Sequence, residues 1–170
     1  MAARAENESA LMNRTTLDRE SDREIVIRRS FDAPARIVFE ALTNPDLVRR
    51  WWAPRSLGVS VVSVEIDVRV GGKYRHVLRH DGGGDVGFSG EYLEIVPPRR
   101  LVYTQVYEPM AEAGEVVVTV SLEERDGRTH LVLHERWPSK GALDGALATN
   151  MERGFSETMD QLEQLVRSRA

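Results

Sequence analysis

Between Val59 and Trp137 the chain repeats one device six times, a short run of alternating or β-branched residues closed by a turn signal. The runs are "VSVVSVEIDV", "KYRHVLRH", "VGFSGEYLEIV", "RLVYTQVY", "EVVVTVSLEE" and "THLVLHERW". Between them stand Gly71-Gly72, "DGGGD", Pro97-Pro98-Arg99, a loop from Glu108 to Gly114, and Asp126-Gly127. Runs of this length and period read as strands. Connections this short join antiparallel neighbours, because a parallel crossover takes about a dozen residues or more. A meander is therefore predicted, and one face of it must be covered by something apolar.

The flanking segments supply the cover. "REIVIRRS", Arg23 to Ser30, adds a seventh strand, and "FDAPARIVFEALTNPDLVRRWW" then changes the period to that of a helix. Asp32 is placed to cap a helix with Pro34 in its first turn and Ile37, Val38, Ala41 and Leu42 on its apolar face. Asn44 before Pro45 caps a second, shorter helix, which Pro54 ends. From about Gly141 to Arg169, Leu147, Met151, Phe155, Thr158 or Met159, Leu162, Leu165 and Val166 trace one helical stripe. Glu152, Arg153, Glu157, Asp160, Glu163 and Gln164 fall on the face expected to be wet. The predicted fold is α+β, a seven-stranded curved antiparallel sheet wrapped around a long C-terminal helix, with two short helices between strands 1 and 2.

Composition narrows the function by exclusion. With 23 Lys and Arg against 27 Asp and Glu, the formal charge of −4 lacks the basic excess that nucleic acid selects. No cysteine is present, which removes disulfides, thiolate nucleophiles and cysteine-ligated metals. No run approaches the roughly 18 apolar residues of a membrane span or the apolar centre of a signal peptide. The expectation is a cytoplasmic protein, with residues 1–22 a polar, mobile leader and residues 23–170 a single domain.

Alternation assigns the residues that face the hollow. Lys73, Arg75 and Arg79 belong in water, so Tyr74, His76 and Leu78 point inward. The same rule aligns Leu101, Tyr103, Gln105 and Tyr107, then Val116, Val118, Val120 and Leu122, then Leu131, Leu133, Glu135 and Trp137. Tyr, His, Gln and Glu in an apolar hollow are more polar than a plain core needs, and each costs about 1–3 kcal/mol if left without a partner. Waters and mutual hydrogen bonds are one solution, and a cavity whose polar groups orient a ligand is the other. Glu135, beside Leu133 and Trp137, is the sharpest candidate for an acid or base with a raised pKa, followed by His76 and Tyr107.

Other chemistry fails on spacing. His76 with His80, and His130 with His134, are four apart on strands, about 13 Å, too far to share one ion. No metal or cofactor is expected. "GGGDVG", Gly82 to Gly87, joins two strands and opens no helix, so it is a hairpin loop and not a dinucleotide fingerprint. Ser89 in "GFSGE" lacks the second glycine of a nucleophile elbow.

The phrases "FDAPARIVFEALTNPDLVRRWWAP", "EIDVRVGGKYRHVLR", "GEYLEIVPPRRLVYT", "VTVSLEERDGRTHLVL" and "NMERGFSETMDQLEQLV" together resemble the START-like helix-grip superfamily. The nearer likeness is to its branch related to the C-terminal domain of the activator of heat-shock-protein-90 ATPase. The likeness runs from about Arg23 to Val166, and departs at Gly154-Phe155, where many relatives carry Gly-Trp. It implies a helix gripped by the sheet with a cavity between them, and three kinds of role. The first is binding of a hydrophobic or aromatic small molecule, such as a lipid or polyketide. Trp51, Trp52, Tyr74, Phe88, Tyr103, Met151 and Phe155 would then give contact, Val118, Leu133 and Trp137 apolar lining, and His76, Gln105, Tyr107 and Glu135 polarity. The second is a cyclase or hydrolase using His76, Tyr107 or Glu135. The third is a co-chaperone-like module that binds a chaperone. A homodimer through an edge strand is the default assembly.

Trp51 and Trp52 need separate roles, because neighbours on a helix point about 100° apart. One is expected to anchor and line the hollow, and the other to stay partly open.

Overall fold

The computed structural model describes the backbone of residues 1–170 and the side chains of residues 1–8 and 13–170. The six runs after Val59 become β3 (Val59–Ile66), β4 (Lys73–His80), β5 (Asp85–Val96), β6 (Arg100–Tyr107), β7 (Val116–Arg125) and β8 (Arg128–Arg136), and β2 spans Glu24–Phe31. An eighth strand, β1 (Thr16–Arg19), lies in the expected leader and pairs antiparallel with β2, Leu17 opposite Ile27. Its sequence, "TLDR", holds one apolar residue, so no alternation marked it. Leu17 alone packs toward the core. The open sheet runs β1-β2-β8-β7-β6-β5-β4-β3, with every pair antiparallel. The same N-terminal segment also holds α1 (Ala2–Met12).

Helices α2 (Ala35–Thr43) and α3 (Pro45–Trp51) lie between β2 and β3. The Asn44 side chain accepts from the Asp46 N–H at 3.0 Å, as an N-cap does. Asp32 does not cap α2. Its carboxylate pairs with Arg128 at 2.9 Å and Arg167 at 3.3 Å, and the Ala35 N–H donates instead to Glu124 at 2.7 Å. Two guanidinium groups hold a carboxylate more firmly than one amide does.

The expected single C-terminal helix is two, α4 (Lys140–Leu147) and α5 (Met151–Arg169). Asn150 stands between them at φ 59°, a left-handed conformation that asparagine tolerates, and Thr149 before it is a poor helix former. Leu147 therefore belongs to α4.

The stripe of α5 is buried as read: Met159, Leu162, Leu165 and Val166 join Ile25, Ile27, Val118, Val120, Leu131 and Leu133 in one core. Each fully buried Leu, Ile or Val contributes about 1.5–3 kcal/mol. Glu163, expected in water, is buried. Asn13 from the N-terminal segment donates to its carboxylate at 3.0 Å, and Arg167 lies 3.7 Å away. The chain before β1 covers that part of α5, which helical periodicity alone does not disclose.

Candidate ligand-binding site

A small, partly enclosed cavity of about 40 Å³ lies between the inner face of β4–β6 and the end of α3. Period-2 alternation on β4 sends Tyr74 and His76 into it, and alternation on β6 sends Leu101, Tyr103 and Gln105. Trp51 and Trp52 close it from the helical side.

Tyr74 is held by an irregularity in the sheet. Its hydroxyl donates to the Thr104 carbonyl at 2.7 Å, while the Thr104 hydroxyl accepts from the Glu91 N–H at 3.0 Å. Gly90 makes room for this: a Cβ there would sit 1.8 Å from the Thr104 carbonyl oxygen and 2.8 Å from the Tyr74 ring. Tyr74, Tyr92 and Tyr103 then pack with ring centroids 5.6–6.0 Å apart. Burial pushes the Tyr92 hydroxyl up to about 12 and those of Tyr74 and Tyr103 well above the phenol range, so all three stay protonated.

His76 is 6% exposed, and its Nδ1 is buried without a hydrogen-bond partner among the described residues. Burial, opposed weakly by the Arg75 backbone, pushes the imidazole down to about 4, so the ring is neutral at pH 7. The cavity lining contains no group ionised at that pH.

The two tryptophans divide as their angular separation requires. Trp51 is buried, and its indole N–H donates to the Ala41 carbonyl at 2.8 Å. Trp52 is half-buried and meets its neighbours edge-on, His76 at 4.7 Å and Phe88 at 5.0 Å between centroids. Such contacts stabilise by about 0.5–1.5 kcal/mol each. Its N–H makes no hydrogen bond among the described residues.

Gln161 of α5 holds this corner, and the sequence reading missed it. Its amide donates to the carbonyls of Trp51 at 2.8 Å and Ala53 at 2.7 Å, and its oxygen accepts from the Arg55 N–H at 3.2 Å. The available signal was its position, three after Thr158 and four before Leu165, on the flank of the buried stripe.

The remaining expected residues separate from the cavity. Phe88 stands outside Trp52. Tyr107 keeps the inner face, opposite Phe88 with the rings 5.1 Å apart, but it stands beyond the last β6–β7 rung at Gln105–Val116, is 40% exposed and does not line the cavity. Val118 and Leu133 are core, and Trp137, Met151 and Phe155 pack against the core without lining the cavity. Glu135, 3% exposed, accepts from the Trp137 indole N–H at 3.0 Å. Burial pushes its carboxyl up to about 7, against the Trp137 hydrogen bond. Val118 lies between it and Tyr103 across the sheet, so it does not reach the cavity wall. A larger trough of about 620 Å³ runs over the outer face of the same strands, lined by Glu65, Lys73, Arg75 and Glu91 among others. It is more open to solvent than the inner cavity, and its Arg75 is already paired with Glu108 at 2.7 Å, so it offers less selectivity.

Residues 32–167 match the family model described as Activator of Hsp90 ATPase homolog 1-like protein. The chain belongs to that family. Solved structures similar to this AHSA1-like chain include a protein of Rhodobacter sphaeroides, 25% identical, with 91% of this chain and 99% of that one covered and a TM-score of 0.83. Protein NE0264 of Nitrosomonas europaea is 22% identical over 89% of this chain and 98% of its own, with a TM-score of 0.78. CV1439 of Chromobacterium violaceum is 26% identical over 84% and 96%, with a TM-score of 0.70. A search of curated proteins finds no match. The AHSA1-like and START-like assignment, the antiparallel curved sheet and the C-terminal helix thus stand on the family match and on these structures together. No helix is long and apolar enough to cross a membrane, among the described residues.

Proposed function

We propose that this AHSA1-like chain binds a neutral aromatic small molecule between β4–β6 and the end of α3. The observation that carries the reading is the unpartnered, buried Nδ1 of His76 at the wall of an aromatic cavity. An unpaired buried polar atom costs about 1–3 kcal/mol, which a ligand's hydrogen-bonding group recovers. A carboxylate ligand would enter a lining with no cation to meet it, at a large desolvation cost. A phenolic hydroxyl both donates and accepts through one atom, and suits a neutral imidazole beside the Gln105 amide.

The test is a thermal-shift titration of the purified chain with 2-naphthol and with palmitate. Naphthol at about 100 times its Kd is expected to stabilise by roughly 2.7 kcal/mol, the shift shrinking in His76→Phe, and palmitate is expected to do little. No shift with naphthol or related phenols overturns the reading.

A second reading, a protein-binding module of the kind the family name suggests, draws on a different observation. The hollow is nearly filled, and Val68, Val70 and Leu93 are exposed on neighbouring backbone, where the Gly71 N–H donates to the Tyr92 carbonyl at 2.8 Å. Loss of chaperone capture in Leu93→Lys, with small-molecule binding absent, would favour it. An enzymatic role for Glu135 has less support, because that carboxyl does not line the cavity.

A further inference from the structure

We infer that the Trp52 indole is the cavity's own occupant: it fills the slot against His76 and Phe88 that the ring of a bound aromatic molecule takes, and it rotates outward to admit that ring. The inference rests on the binding reading above and adds how the site opens.

Size makes movement necessary. A space of about 40 Å³ holds a few waters, whereas a cavity of about 150 Å³ is the scale that takes benzene. Some wall must yield. Trp51 is tied through its indole to Ala41, and Tyr74 is tied through its hydroxyl to Thr104. The backbone around Trp52 is pinned as well, because Gln161 holds the carbonyls on either side of it, at Trp51 and Ala53. Trp52 itself is half-buried and held by edge-on ring contacts and packing, without a hydrogen bond to its indole. Its side chain can turn about χ1 and χ2 while the loop stays in place.

The exchange is close to balanced. A ligand ring in the vacated slot makes the same edge-on contacts with His76 and Phe88 that the indole gives up, and brings a polar group to the His76 Nδ1 that the indole leaves unpaired. The displaced indole has an aromatic surface to follow, because the exposed Tyr107 ring stands 5.1 Å beyond Phe88. The row His76, Trp52, Phe88, Tyr107 leads from the buried wall to solvent.

The experiment is fluorine NMR of the full chain labelled with 5-fluorotryptophan, with the three resonances assigned by Trp51→Phe, Trp52→Phe and Trp137→Phe. On saturation with 2-naphthol, the Trp52 resonance is expected to gain a solvent isotope shift, while Trp51 and Trp137 keep theirs. In Trp52→Ala the same probe is expected to bind about tenfold more tightly and to associate faster, since no ring need be displaced. If Trp52→Ala does not fold, Trp52→Val replaces it. Naphthol bound to wild type with the Trp52 isotope shift unchanged overturns the displacement while leaving the binding reading intact. Binding by Trp52→Ala with none by wild type shows that the ring cannot turn, and also overturns it. Binding by neither protein removes both readings.

Discussion

The indole N–H of Trp137 donates to the carboxylate of Glu135, two residues earlier on the same face of the sheet, at 3.0 Å. No cation is paired with that carboxylate among the described residues, so its ionised form is stabilised by little more than this one donor. The protein keeps it protonated up to about pH 7, well above the ordinary carboxyl range.

The consequence is a stability that falls as pH rises. The folded chain holds the Glu135 proton above the pKa of the unfolded one, so the full contribution is present below about pH 4.5 and is lost by about pH 7, some 3 kcal/mol in all. Glu135→Gln keeps an acceptor for Trp137 and cannot ionise. Urea unfolding is expected to show the variant more stable than wild type at pH 8 by up to about 3 kcal/mol and close to wild type at pH 4. A variant destabilised equally at both values would mean that the carboxylate is paired in a way this geometry does not contain.

His76 produces the opposite slope. Its folded pKa lies near 4 and below the ordinary histidine value, so its contribution is complete above about pH 6.5 and lost as pH falls toward 4. Between about pH 4.5 and 6.5 the two groups work against each other, each at about 1.4 kcal/mol per pH unit, and their effects on wild type cancel. His76→Phe is expected to expose the cancellation: relative to wild type, the variant gains about 3 kcal/mol between pH 7 and pH 4 in the same unfolding measurement. A stability difference that does not change with pH would mean that the folded ring takes up its proton at the ordinary histidine pKa.

Much of this architecture was readable because its signals are local. Alternation on β4, β6, β7 and β8 identified the inward face, and Asn44 before Pro45 marked the start of α3. What alternation could not supply is position along the hollow: Glu135 and His76 share the inner face, yet only His76 borders the cavity. Partners distant in sequence were equally out of reach. Asp32 has the local look of a helix cap until Arg128 and Arg167 arrive from β8 and α5, and Glu163 looks solvated until Asn13 covers it. β1 carries too few apolar residues to announce itself, and it exists because β2 offers an edge to pair with.

Gly90 gives a test of how closely the site is built. Replacing a strand glycine by alanine ordinarily gains about 0.5–1 kcal/mol from the unfolded chain's lost freedom. Here the new methyl would meet the Thr104 carbonyl oxygen at 1.8 Å and displace the hydrogen bond from Tyr74. Gly90→Ala is expected to lose at least about 2 kcal/mol in denaturant unfolding. Gly145→Ala in α4, where nothing lies within 4 Å, is expected to gain slightly. Equal behaviour of the two variants would mean that β5 and β6 part easily at Gly90.

Gln161 offers a sharper test, because donors and acceptors can be separated. Gln161→Leu strands two buried carbonyls and the Arg55 N–H, and a loss of about 2–4 kcal/mol is expected. Gln161→Glu keeps the acceptor for Arg55 but, once ionised, has no proton for the Trp51 and Ala53 carbonyls and sets a negative charge beside them. It is expected to be at least as damaging as leucine at pH 8. At pH 4 a protonated carboxyl regains one donor, so glutamate should recover part of the loss and leucine none. If glutamate matches glutamine at pH 8, the two carbonyls have found water, and α5 does not fix the backbone from which Trp52 turns.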